Sequence, residues 1–594
     1  MKLEAGVRKY KYMILVFLLA FLPRVVFLLW TYPMSITGDE FFAMMPVAKY
    51  LGYDWSIGLA SYRYYGFGYS VLLLPFFLLF KDPVVLYRMM VLLMILAQSV
   101  IAPISYHLMK KYLKVEKEGH LCVYATICSY LVAVRAVYTY PEFIYVLVVW
   151  LLVWVLFRLC EQVENKKARV YNTLLLLMLL VYAYSVHSRA VALWIGVAAG
   201  LLYYGIVYRK SLVSLPTIGV VGVVGYLGIT KGISMVTGYV MSGVDIRAIG
   251  NVSVSFSVLD QMKNVDYWPA WVNIIVGQLN EAVLITGGLA VIVVMVSLAL
   301  LWNAVFGKGE VKAKVQQKPI YLVVSMVCMG AIGVTIAGQS VSWLVGVDAA
   351  MRGVGDPDAF RAITYLRYYG AYMGPVMMMG LAYFYHNREQ YLGWYRGAAV
   401  AVVLLQGYWV LCILPYIKGF GGSVWDVAPY SGAKGFVDEI RFLSYLPATI
   451  MVVLVFASSY FLYKYKKDLV VWAVLDVILV YSYCYNAVNH EGYRGQINYA
   501  AVEETLAVLA DMEAEGTLPE VIYVEDTYAP GGGQQTKYLY QFCMPTVPCK
   551  VGLPEGDTKG VYVAQHPETG ASLLEQGYEC YEVTEGQYMY INYR

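Results

Sequence analysis

The chain has 594 residues, of which 60% are hydrophobic and 14% charged, with a mean hydropathy of +0.59. Soluble globular proteins carry about a quarter charged residues, so this composition excludes a soluble enzyme, a disordered chain, a collagen and a coiled coil. The net charge of +4 conceals a division: residues 488–594 hold 5 Lys/Arg against 16 Asp/Glu, net −11, while residues 1–487 hold 39 basic against 24 acidic residues, net +15.

Apolar runs long enough to cross a hydrocarbon core of ~30 Å recur along residues 1–487. Hydropathy and flanking charge predict thirteen spans, at 12–31, 84–109, 120–138, 142–160, 172–187, 190–207, 212–230, 283–306, 320–340, 368–385, 397–415, 444–463 and 469–487. The first is too long, and lacks the small-residue cleavage site, for a removable signal peptide. The segments 1–11, 110–119, 158–171, 208–211, 307–319, 386–396 and 464–468 alternate as one side and hold 23 of the 39 basic residues. Lysine and arginine mark the cytoplasmic side, so the N-terminus is expected inside and the C-terminus outside a plasma membrane crossed many times. The loops 32–83, 231–282, 341–367 and 416–443 then lie outside.

In the first outer loop, Phe41, Met44, Met45, Ala48 and Leu51 recur at helical spacing after Asp39-Glu40, with Lys49 and Asp54 off that face. This pattern predicts an amphipathic helix lying at the membrane interface. The run Gly68 to Phe80 is apolar but too short to span and reads as re-entrant or interfacial, as does 271–282. Gly196-x-x-x-Gly200 is a helix-packing signal, and Asn251-Val252-Ser253 a chance glycosylation match. Arg24 and Asp476 fall deeper within spans, where charged groups are costly and usually paired, and they read as structural.

Residues 488–594 read as a separate outer α/β domain: a helix at 499–514, a buried strand at Val521–Val524, a Gly531-Gly532-Gly533 loop before a second helix, and strands at 560–564, 578–583 and 587–592. Alternating helix and strand predict a partly parallel sheet. The glycines match no phosphate-loop pattern and read as a turn. Cys543, Cys549 and Cys580 allow at most one disulfide here and suggest no zinc site.

No HExxH, GxSxG or P-loop is present. Charged residues from distant segments instead arrive at one depth, the outer membrane surface. They are Asp39 and Glu40 after the first span, Arg63 in the first loop, and Arg135 near the outer end of span three. Glu142 follows Tyr140-Pro141, His187 and Arg189 lie between spans five and six, and Arg367 opens span ten in Leu366-Arg367-Tyr368-Tyr369. Taken singly, each has an ordinary reading. Asp39 and Glu142 suit the first turn of a helix, where N–H groups and the dipole favour an acid. A lone outer arginine commonly meets lipid headgroups.

Taken as an ordered set, these features resemble the polytopic GT-C glycosyltransferases that use polyprenyl-phosphate sugars, in particular the protein O-mannosyltransferase and aminoarabinose-transferase branch. There, an acid opens the first outer loop directly after span one, that loop carries interfacial helices, and a second acid lies between spans three and four. Many members end in an outer soluble domain. Asp39-Glu40, the 39–51 helix, the 68–80 segment, Glu142, the Arg367-Tyr368-Tyr369 element and the 107-residue tail match in order. One element departs: the His-Pro-Pro or Lys-Pro of some relatives is replaced by Tyr65-Gly66-Phe67-Gly68.

The resemblance implies a GT-C-like bundle of about thirteen helices in a bacterial cell membrane, acting as a glycosyltransferase on a polyprenyl-phosphate sugar with inversion. It implies a catalytic Asp39-Glu40 pair with Asp39 as the base, while Glu40 and Glu142 position the acceptor or hold a divalent cation. Arg63, Arg189, Arg367 and His187 become partners of the donor phosphate. The acceptor is a surface glycan, a lipid or a protein; membrane lipids surround the chain, and no nucleic acid is expected. Two other readings stand beside it. A transporter or flippase for a lipid-linked glycan needs charges near the midplane and internal repeats, and a glycan polymerase or ligase normally has its main loop late in the chain.

Overall fold

The computed structural model describes residues 2–33, 38–61, 66–131, 138–242, 256–364, 366–417, 445–488, 493–528, 535–554, 560–584 and 586–592. Arg63, Arg135, Asn251-Val252-Ser253 and Gly531-Gly532-Gly533 lie outside the described residues. The molecule is a helical bundle carrying a small C-terminal sheet domain. Among the described residues, ten helices are long and apolar enough to cross a membrane, and each stands at an expected span. At the other three positions are the helices Glu118–Tyr130, Gly370–His386 and Tyr445–Lys464, so the count of thirteen is not reached by length and composition. The Gly370–His386 helix is buried without a break from Gly370 to Phe384, which makes it a central post of the bundle.

Local chemistry sets the helix ends. Asp82 accepts a hydrogen bond from the Val85 N–H at 2.7 Å with Pro83 in the first turn, and Asn165 caps the next-but-two span in the same way through Ala168 at 3.1 Å. Close packing uses small residues. A Cβ added at Gly196 would stand 2.4 Å from the Val327 carbonyl, so the Ala190–Tyr208 helix presses directly on Pro319–Ser342. Arg24 forms no ion pair with Asp476. Its guanidinium donates to the Ala20 and Ser129 carbonyls at 2.6 and 2.9 Å and lies 3.9 and 5.1 Å from the Tyr130 and Tyr483 rings. Carbonyls and aromatic faces thus satisfy the buried guanidinium.

The first-loop helix runs over Gly38–Tyr50. It is not the half-exposed interfacial helix that its spacing predicts: Phe41, Phe42, Ala43, Met44, Met45, Val47 and Ala48 are all buried. The C-terminal domain packs against it. Phe41 stacks on Trp55 at 4.4 Å and meets the Tyr538 ring at 5.0 Å, and Trp55 Nε1 donates to the Pro545 carbonyl at 3.3 Å. Pro46 lies inside the helix and offers no N–H, and the neighbouring Val47 N–H is satisfied by Ser70 Oγ at 2.9 Å. The Gly68–Leu79 helix has the short length expected of it. The 271–282 segment is part of a longer helix, Trp268–Ile285, which buries Gln278, Asn280 and Glu281 within the protein.

In the C-terminal domain, β1 (Ile522–Val524), β2 (Cys549–Val551), β3 (Val561–Ala564), β4 (Glu579–Thr584) and β5 (Gln587–Ile591) form one sheet in the order β2-β1-β3-β5-β4. β1 pairs in parallel with β2 and β3, with Ile522 opposite Cys549 and Val561; the β3–β5 and β5–β4 pairs are antiparallel. The partly parallel sheet is as expected. β2 is the strand the sequence pattern does not show, because three residues after Pro548 carry no usable alternation. Cys543, Cys549 and Cys580 are free thiols.

Candidate active site

Five of the expected site residues are brought to one place by four separate segments. Asp39 lies in the first turn of Gly38–Tyr50, and Glu142 follows Pro141 in the first turn of Pro141–Glu161. His187 closes Lys166–Val186, and Arg189 opens Ala190–Tyr208. Arg367 sits in the short turn Leu366–Tyr368 before the central helix.

Arg367 joins the two acids. Its Nε donates to Glu142 Oε1 at 2.7 Å, a terminal nitrogen stands 2.5 Å from the same oxygen, and the other faces Asp39 Oδ2 at 3.3 Å. Arg189 stands 3.4 Å from Glu142 Oε1, and His187 Nε2 lies 3.9 Å from that same oxygen. The second oxygen of Glu142 accepts no hydrogen bond among the described residues. Aromatic rings hold both guanidinium planes: Tyr368 lies 3.6 Å from Arg189 and Tyr140 lies 4.4 Å from Arg367. Arg189 keeps 22% of its side chain exposed against 14% for Arg367, so Arg189 is the more accessible cation.

Glu40 points away from this group. It is fully buried, and its Oε1 accepts from Tyr87 Oη at 2.7 Å, the Thr139 N–H at 2.8 Å and Thr139 Oγ1 at 2.9 Å. The carboxylate therefore ties the start of the first-loop helix to the residues just before Glu142. The turn into the next helix is equally tight. Gly66 has φ +76°, and a Cβ there would lie 2.0 Å from the Ser185 carbonyl. The Tyr65-Gly66-Phe67-Gly68 departure thus has a steric basis: glycine lets the first loop lie against the chain leading to His187.

His187 Nδ1 accepts from the Arg189 N–H at 3.1 Å, which places the ring proton on Nε2, facing Glu142. Burial, reinforced by Arg189 and Arg367 and opposed by Glu142, pushes the imidazole down to about 3. It is a neutral hydrogen-bond donor at ordinary pH and adds no positive charge for a phosphate. The unfolded chain binds this proton near ~6.5. Protonation therefore favours the unfolded state, and stability is lost as pH falls below that value, by up to about 1.4 kcal/mol per pH unit. His187→Gln is expected to flatten the acid side of the melting-temperature curve between about pH 3 and 6.5. An unchanged slope overturns this assignment.

The residues do not suit a divalent cation. Glu142, the expected ligand, already faces two guanidinium groups, and no three His, Cys, Asp or Glu side chains gather to hold a metal among the described residues. With two guanidinium groups already facing Glu142, its surroundings disfavour a further cation. The tyrosines at 140 and 368 and the Tyr87–Thr139 pair are the site residues that sequence reasoning missed. The first two adjoin expected residues, in Tyr140-Pro141-Glu142 and Arg367-Tyr368-Tyr369.

No protein-family model matches the chain, and no curated protein sequence matches it. Solved structures do. The crystal structure of ArnT from Cupriavidus metallidurans in the apo state aligns with 99% of this chain and 98% of its own, at a TM-score of 0.53 and 13% identity. The structure of that ArnT bound to undecaprenyl phosphate aligns over 98% of both chains at a TM-score of 0.50 and 13% identity. The GT-C resemblance read from the sequence is thus borne out as a fold: from the first membrane helix to the C-terminal sheet, the chain is folded like ArnT.

Proposed function

We propose that the chain is a membrane glycosyltransferase that moves a sugar from a polyprenyl-phosphate donor to an acceptor outside the plasma membrane, inverting the anomeric carbon. The observation that carries this reading is the cluster of Asp39, Glu142, Arg189 and Arg367, drawn from four distant segments onto one site. A fold shared with a protein crystallised with undecaprenyl phosphate supports the class of donor.

In this reading the lipid chain stays in the bilayer and the sugar is presented at the cluster. The acceptor oxygen attacks C1, the bond from C1 to the phosphate oxygen breaks, and the acceptor proton passes to a carboxylate. Asp39, the more exposed of the two acids, is the base. Glu142 uses its free oxygen to orient the acceptor hydroxyl. The departing phosphate gathers negative charge, and Arg189 is the cation best placed to meet it, since a guanidinium binds phosphate oxygens in a fork and stays charged. Arg367 holds the acids in register, His187 fixes Arg189 through its backbone, and Glu40 is a positioning residue. Base and leaving group on opposite faces of C1 give inversion, as in inverting glycosidases.

The test is sugar transfer by the purified protein in proteoliposomes loaded with a polyprenyl-phosphate sugar. Release of free polyprenyl phosphate together with a modified acceptor is expected; its absence across a panel of such donors overturns the reading. In the same assay Arg189→Gln is expected to lower kcat by about 10²-fold or more, with a smaller change in KM for the donor. An equal loss confined to KM removes Arg189 from the leaving-group step.

A further inference from the structure

A second pocket lies away from this cluster, on the side where the basic loops gather. It is a cavity of about 260 Å³ lined by Lys314, Lys318, Asn303, Asn387, Gln390 and Trp394, with Val311 and Val315 among its apolar walls. No acidic side chain lines it among the described residues. The 307–319 segment that forms its rim carries Lys308, Lys312, Lys314 and Lys318 against one acid, Glu310.

The walls are fixed. Lys312 donates to the Val305 carbonyl at 2.9 Å, Gln316 Nε2 to the Ala304 carbonyl at 3.0 Å, and Tyr208 Oη to the Gln316 carbonyl at 2.7 Å. These bonds pin the Gly309–Gln316 helix across the end of Leu289–Phe306. Lys318 is half-buried and pairs with no carboxylate among the described residues. Its ammonium instead lies 5.1 Å from the Tyr383 ring and 5.8 Å from Tyr321. Burial, with Lys314 nearby, pulls its pKa down, so an incoming anion stabilises the charged form. Beside the pocket, Trp302 and Phe306 project from the same helix as Asn303, 63% and 62% exposed, with their rings 4.4 Å apart. Exposed aromatic rings at a helix end mark the headgroup level of a bilayer.

We propose that this pocket binds the phosphate-bearing headgroup of an anionic membrane lipid. Lys314 and Lys318 meet the phosphate, the Asn303, Asn387 and Gln390 amides meet the polar headgroup, and the acyl chains descend past Trp302 and Phe306. A lipid is favoured over free phosphate because the cationic pocket opens beside exposed apolar surface, which an inorganic ion has no use for.

Native mass spectrometry of the full-length protein with phosphatidylglycerol and phosphatidylcholine tests this. Wild type is expected to retain phosphatidylglycerol preferentially. Lys314→Gln/Lys318→Gln is expected to weaken that retention about 30-fold, since each lysine near a lipid phosphate contributes about 1 kcal/mol. Lys314→Arg/Lys318→Arg, which keeps both charges, is expected to hold the lipid. Equal retention of the two lipids by wild type, unchanged phosphatidylglycerol binding in the Gln pair, or its loss in the Arg pair overturns the proposal. A melting series with inorganic phosphate separates the sources. No shift supports a lipid headgroup, and a rise that the Gln pair abolishes assigns the pocket to free phosphate and overturns the lipid.

Discussion

Asp39→Asn is expected to lower kcat for sugar transfer by about 10²–10⁴-fold, the span that a positioned general base contributes. The substitution keeps the size and planarity of the side chain, and an amide oxygen still accepts from Arg367, which now stands 3.3 Å from Oδ2. What it removes is the lone pair that takes the acceptor proton. The folded protein loses little by comparison, because one carboxylate at the first turn of a helix contributes about 0.3–1 kcal/mol. The expected signature is therefore a collapse in kcat with a nearly unchanged melting temperature and donor KM. Transfer retained at the wild-type rate removes Asp39 as the base. A melting temperature that falls in step with activity makes its role structural.

Much of this arrangement is legible in the chain because membranes simplify the code. Apolar runs and lysine clusters give the spans, and the acids and arginines at their ends then share one depth without any knowledge of packing. The burial of the first-loop helix is not legible. Its spacing predicts one apolar face, but Phe42, Ala43 and Val47 are also buried, Phe42 against Tyr538, which lies almost 500 residues onward. Non-local contacts of that kind leave no periodic trace. The aromatic holders of the arginines are hidden for another reason: with 57 tyrosines in the chain, Tyr140 and Tyr368 do not stand out. The neutral state of His187 depends on burial and on two guanidinium groups brought from elsewhere, so a histidine beside an arginine reads as a cation until the fold is seen. Glu40 shows the converse. Its place next to Asp39 suggests a catalytic pair, yet successive residues of a helix point in different directions, and Glu40 turns inward to Thr139.

Arg367→Gln is expected to lower the melting temperature and the transfer rate together. Both acids depend on this one guanidinium: Glu142 through two nitrogens at 2.7 and 2.5 Å, Asp39 through the third. With side-chain exposures of 14% for Arg367 and 12% for Glu142, water screens the pair poorly. Removing one partner of such a buried pair costs about 3–5 kcal/mol, chiefly because the other charge is left uncompensated. Arg189, at 3.4 Å from Glu142 and already stacked on Tyr368, offsets only part of that loss. The double variant Arg367→Gln/Glu142→Gln removes the stranded charge and is expected to recover most of the melting temperature, while transfer stays low because the acceptor-orienting carboxylate is gone. Arg367→Lys is expected to fall between, since a single ammonium cannot reproduce the planar fork that reaches Glu142 and Asp39 at once. If the single Gln variant melts and transfers like wild type, Arg367 does not organise the acids. If the double variant is no more stable than the single one, charge compensation is not what Arg367 supplies to the fold.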